Sequence, residues 1–116
     1  MQLFIYVDES EIEPEVRAQR LAPVAAALAA WSEEQGADYV PVDEPHEPRL
    51  GLHMHVKRKG ELKAPLAFLY GLAREHKLEW ALGVIDEQSG EREEVCYFGL
   101  EEGRPDAFEV GNYVGL

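Results

Sequence analysis

Leu50-Gly51-Leu52-His53-Met54-His55-Val56-Lys57-Arg58-Lys59 alternates apolar and polar side chains with a period of two. Successive Cβ atoms of a strand point to opposite sides, so Leu52, Met54 and Val56 face one way and His53, His55 and Lys57 the other. The stretch predicts a half-buried strand with a cationic outer face. A sheet buried on one side needs a second layer to cover it. The flanking sequence supplies that layer as two helices.

Upstream, Pro14 to Gln35 reads as the first helix. Leu21, Val24, Leu28 and Trp31 recur at helical spacing and make one apolar stripe. Pro23 interrupts this pattern and is expected to kink or split the helix near Leu21 and Ala22. Gly36 suits the C-cap. Residues 2 to 7 are apolar, β-branched and aromatic and read as a buried strand. Ala37 to Val42 reads as a short strand that Pro41 confines to an edge or an end, followed by a loop from Asp43 to Pro48.

Downstream, Gly60 is expected to end the alternating strand. A second helix starts at Leu62 or Pro65 and ends at His76, with Leu62, Leu66, Leu69 and Ala73 as its core stripe. Glu79 to Asp86 reads as a central strand and Glu87 to Gly90 as a turn. Glu93 to Gly99 is the hairpin partner, with Val95, Tyr97 and Gly99 on one face and Cys96 and Phe98 on the other. Residues 101 to 106 form a loop. Periodicity does not decide between strand and helix for Ala107 to Val114. The expected fold is α+β: one domain over residues 1–116, a two-layer sandwich of a mostly antiparallel sheet of five or six strands with two helices on one face.

The 116 residues carry 23 Asp+Glu against 11 Lys+Arg, a formal charge of -12. A field of that sign repels nucleic acid and anionic membranes and speeds encounter with a basic partner. The hydrophobic fraction of 46% is ordinary for a globular chain and argues against disorder. The single cysteine, Cys96, makes no internal disulfide and suits a reducing compartment. Residues 1–8 have no basic leader and their apolar run stops at Asp8, so a cytoplasmic protein is expected.

No catalytic motif stands out. Ser10, Ser32 and Ser89 lie in no nucleophile elbow. Cys96 sits in a strand, away from any helix N-terminus that would activate it. Tyr6-Val7-Asp8-Glu9-Ser10 resembles the opening of some RNase H-like nucleases, but the chain then turns straight into a helix, and two-metal chemistry needs several converging carboxylates. His53 and His55 can both reach a metal, with His46 or His76 joining them. Such a site needs three or four ligands, and no Cys/His pair here has a known metal spacing. No metal and no cofactor are therefore expected, and a small metal-dependent hydrolase built on His53 and His55 is the enzyme alternative. Arg49, Lys57, Arg58, Lys59 and Lys63 make a positive stripe too small to bind nucleic acid against the global charge.

The acidic segments are the expected contact surface for a partner: Asp8, Glu9, Glu11, Glu13 and Glu15 first, then Glu101, Glu102 and Asp106. Helix-start chemistry accounts for part of the first group, since Pro14 and acidic residues both suit a first turn. The aromatics Trp31, Phe68, Tyr70, Trp80, Tyr97, Phe98 and Tyr113 are assigned mainly to the core, with one or two left to anchor an interface.

The last third of the chain carries Leu78-Glu79-Trp80-Ala81-Leu82-Gly83-Val84-Ile85-Asp86, then Glu93-Glu94-Val95-Cys96-Tyr97-Phe98-Gly99-Leu100-Glu101-Glu102-Gly103-Arg104-Pro105-Asp106, then Val110-Gly111-Asn112-Tyr113-Val114-Gly115-Leu116. Over residues 78–116 it resembles the small acidic immunity proteins that bacteria use against interbacterial toxins. The resemblance implies a cytosolic domain without cofactor or enzyme site that binds one cognate toxin and blocks or distorts its active site; the chain's own charge implies that this toxin presents a basic surface. It carries over no individual residue. A phage-encoded DNA mimic such as an anti-CRISPR protein is the alternative inhibitor. The oligomeric state stays open.

Overall fold

A computed structural model describes residues 1–44, 47 and 49–116. Five strands form one antiparallel sheet: β1 (Gln2–Val7), β2 (Tyr39–Glu44), β3 (Arg49–His55), β4 (Glu79–Ile85) and β5 (Arg92–Gly99). Their order in space is β2-β3-β1-β4-β5, so β1 is the central strand and β2 and β5 are the edges. Three helices complete the fold: α1 (Pro14–Gln35), α2 (Lys63–His76) and α3 (Ala107–Val114). A 3-10 turn, Lys59–Leu62, leads into α2.

All three helices cover the same face. Leu3, Ile5 and Val7 of β1 join Leu50, Leu52 and Met54 of β3 and Trp80 and Leu82 of β4 in one core. Against them pack Leu21, Val24 and Leu28 of α1, Leu66, Leu69 and Leu72 of α2, and Val110 and Val114 of α3. Trp80 is fully buried, and its indole N–H donates to the carbonyl of Leu69 at 2.8 Å. Trp31 does not sink into this core. It is half-buried, stacks on Phe68 with ring centroids 4.8 Å apart, and meets the edge of Tyr39 at 4.9 Å, joining α1, α2 and β2.

The expected α+β two-layer sandwich is the observed architecture, with differences at particular residues. Pro23 does not split α1, which is one element of 22 residues. Its ring lies on the exposed side, where water can serve the carbonyl that a proline cannot bond. The alternating strand ends at His55 rather than at Gly60, and the backbone N–H groups of Lys57 and Arg58 instead donate to the Glu61 carboxylate. β2 runs through Glu44, two residues beyond the expected end. Residues 107–114 form a helix: the Asp106 side chain accepts from the N–H groups of Phe108 and Glu109 at 2.9 and 3.0 Å, and Gly115 closes it at φ 91°. Pro45, His46 and Pro48, which complete the loop reading and supply one suggested metal ligand, lie outside the described residues.

β5 holds one irregularity that matters below. Leu82 pairs with Cys96 but Gly83 pairs with Glu94, so Val95 is an extra residue in a β-bulge. Val95 packs towards the core, not beside Tyr97 as strict alternation requires. Beyond the bulge the faces exchange. Arg92 and Glu94 fall on the face that no helix covers.

Candidate functional site

β1 ends beside the start of β4 and the end of β5, since Val7 pairs with Trp80 and Glu79 with Gly99. This gathers three loops at one end of the sheet. The Asp8 N–H donates to the Glu79 carbonyl at 2.8 Å, and the Leu100 N–H to the Leu78 carbonyl at 3.0 Å. Between the loops lies a cleft of about 230 Å³ whose walls carry five carboxylates, Asp8, Glu11, Glu79, Glu101 and Glu102, against two cations, Arg20 and Lys77. Arg20 is engaged with α2, since its guanidinium donates to the carbonyls of His76 and Lys77 at 3.2 and 3.3 Å. That contact satisfies carbonyls at the helix C-terminus, where a cation is also favoured by the helix dipole. The cleft is therefore an anionic surface.

One carboxylate shapes the cleft rather than presenting itself to solvent. Glu79 accepts hydrogen bonds from the backbone N–H groups of Glu101 and Glu102 and so holds the loop after β5. Its second oxygen is buried without a partner among the described residues. Gly99 makes room for it: a Cβ there would sit 2.6 Å from that oxygen, at a φ of 150° that disfavours side chains. Tyr97 and Leu100 stand at the same rim, each 47% exposed. The Tyr97 hydroxyl donates to the Glu94 carboxylate, which raises its pKa and keeps the phenol neutral.

The sequence-derived contact residues separate into three groups. Asp8, Glu11, Glu101 and Glu102 converge on the cleft although they are about 90 residues apart in the chain. Glu9 lies close by but is bound by Arg17, bidentate through Nε and Nη2. Glu13 is the N-cap residue of α1 and Glu15 lies in its first turn, while Asp106 caps α3. Of these three only the Asp106 carboxylate accepts capping hydrogen bonds, while Glu13 and Glu15 stand exposed at the start of α1, outside the cleft. Glu79 and the exposed positions of Tyr97 and Leu100 were missed. Glu79 is legible only as a strand residue until the strand order is known.

On the uncovered face of the sheet, His53 and His55 follow each other on β3 as the alternation predicts. His53 is committed to the Tyr6 hydroxyl through Nε2 at 2.5 Å. His76 sits at the end of α2, in the layer on the opposite face. Among the described residues no three His, Cys, Asp or Glu side chains group to hold a metal. The Cys96 thiol has its pKa raised, first by burial and then by the Glu109 charge, the opposite of what an activated nucleophile requires.

His53 gives a testable signature of this packing. Its pKa is lowered from 6.5, first by burial and then by the charges of Arg92 and Arg49. The unfolded chain therefore takes up this proton before the native state does. Stability rises with pH in the window between the native value and 6.5, so acidification below about 6.5 costs stability until His53 itself titrates. Urea midpoints across that window should fall more steeply for the wild type than for His53→Gln. Parallel curves would contradict the assignment.

No protein-family model, curated protein or solved structure matches the chain. Among the described residues no helix is long and apolar enough to cross a membrane.

Proposed function

We propose that the chain is a non-enzymatic inhibitor, an immunity protein that acts in the cytoplasm by binding and occluding a cognate antibacterial toxin through a basic surface. The observation that supports this reading is the anionic cleft with Tyr97 and Leu100 exposed at its rim. Tight interfaces concentrate their energy in a few aromatic or aliphatic anchors surrounded by polar groups that exclude water. Carboxylates around such an anchor steer a basic partner and set its register, while the anchor governs dissociation.

The two roles separate by experiment. Glu101 and Glu102 are exposed, and among the described residues their carboxylates bond to nothing, so E101K/E102K should leave the fold intact. With the partner in hand, this double variant should associate about tenfold more slowly at low salt, and the difference should shrink as salt rises. Tyr97→Ala should act on dissociation instead, by about tenfold, the equivalent of about 1.4 kcal/mol. Unchanged kinetics in both variants at every salt concentration would remove this face from the interface.

A further inference from the structure

The sheet face without helices is not bare. Phe4 and Tyr6 lie on it and are only 2% and 8% exposed, with their rings stacked at 4.7 Å. The Phe4 ring rests over Gly83, where a Cβ would come within 2.5 Å of its Cζ. Tyr6 then organises a polar chain. Arg92 Nε–H donates to the Tyr6 oxygen at 2.9 Å. The same Tyr6 oxygen lies 2.5 Å from His53 Nε2, so the three side chains form one hydrogen-bonded chain. Burial and the two nearby guanidinium groups lower the His53 pKa and favour its neutral form.

The arrangement depends on the bulge at Val95. With regular pairing Glu93, not Arg92, would oppose Ile85, and a carboxylate would face the Tyr6–His53 pair. The bulge thus places a cation on this face of a strongly anionic chain. Among the described residues Arg92 forms no ion pair. Its remaining donors line a concavity of about 620 Å³ together with Tyr6, His53 and Arg49, while Val40 and Val42 supply an apolar wall. Arg49 is held at the mouth by Glu47 at 2.7 Å, a pair whose Glu47 side chain is 72% exposed and which a competing anion can replace. Asp43 and Glu44 lie at the same rim and disfavour a highly charged anion.

The geometry points to a binding site for a small molecule bearing a carboxylate or phosphate group, gripped by Arg92 and Arg49 above the Tyr6–His53 pair. A guanidinium fork matches either group in two parallel hydrogen bonds, and the volume accepts a body larger than the anion itself. The site shares no residue with the acidic cleft, so it stands or falls apart from the inhibitor reading.

The test is titration of the 15N-labelled full chain with acetate and, separately, with inorganic phosphate, followed by amide chemical shifts. At least one probe should give saturable shifts centred on Tyr6, His53 and Arg92, and the tighter probe names the group. Arg92→Gln should weaken that binding at least about tenfold, while Arg74→Gln, on the exposed side of α2, should not. Arg49→Gln should also weaken it, and carries the test if Arg92→Gln does not fold. Shifts that fail to saturate with either probe, or that persist unchanged in the Arg92 or Arg49 variant, overturn the site.

Discussion

Gly51→Ala is expected to disrupt the centre of the sheet. Gly51 pairs with Tyr6 on the central strand, and a Cβ at this position would overlap the carbonyl oxygen of Ile5. It would also stand 2.8 Å from the Ile5 carbonyl carbon and 2.9 Å from the Tyr6 Cα. All three atoms are backbone, so no side chain can turn aside to relieve the overlap. β1 bonds to β3 on one side and β4 on the other, and moving it opens both ladders. The expected cost is about 4 kcal/mol or more, among the largest that a single substitution produces. Thermal melting should show it as a drop of at least about 15 °C. Gly71→Ala is the control. It lies on an exposed side of α2 with nothing within 4 Å of its Cβ position, and should be neutral or slightly stabilising. Equal melting temperatures for the two variants would show that the β1–β3 approach is looser than described.

Trp80→Ala is the second large effect. Trp80 is fully buried between the sheet and α2. Removing a buried aromatic side chain of this size costs about 3–5 kcal/mol, from lost transfer energy and the cavity left behind. The indole also ties β4 to α2 through the Leu69 carbonyl. Trp80→Phe keeps most of the apolar body and loses that bond, for which the net contribution is about 1 kcal/mol. Urea midpoints should therefore rank wild type, Trp80→Phe and Trp80→Ala in descending order. If Trp80→Phe matches Trp80→Ala, the hydrogen bond rather than the packing carries the residue's contribution.

Where a single periodicity governs an element, the sequence is readable. The stripe of Leu66, Leu69 and Ala73 on α2 and the alternation of Leu52, His53 and Met54 on β3 reappear as buried and outward-facing side chains. The readings failed where one residue interrupts a period. Val95 shifts the faces of β5 by one position, and no local composition announces a bulge there. Helix α3 was legible in principle. Asp106 followed three residues later by Glu109, with Gly115 after the last turn, forms a start and stop pair that its short periodicity masks.

The candidate site was readable in kind but not in place. The excess of carboxylates is visible in composition, and four of the eight expected contact residues meet at the cleft. Which four depends on β1 lying next to β4, a long-range pairing that no segment carries by itself. Glu9, Glu13, Glu15 and Asp106 are equally acidic, yet Arg17 binds Glu9, Asp106 caps α3, and Glu13 and Glu15 stand exposed at the start of α1, outside the cleft. Tyr97 shows the same dependence. Its period matches a core strand, but Tyr97 pairs with Ala81, which pairs with Tyr6, on the face that no helix covers, and so it stays exposed while the neighbouring Phe98 is buried.

The most direct measurement is paired capture from source-cell lysate at moderate salt, with wild type and an E101K/E102K/Y97A variant as baits and mass spectrometry as the readout. The inhibitor reading predicts one stoichiometric basic protein on the wild type and its loss from the variant. That protein's toxicity should be suppressed by co-expressed wild type and not by the variant. Capture of the same protein in equal amounts by both baits, or of no stoichiometric partner by either, would contradict it.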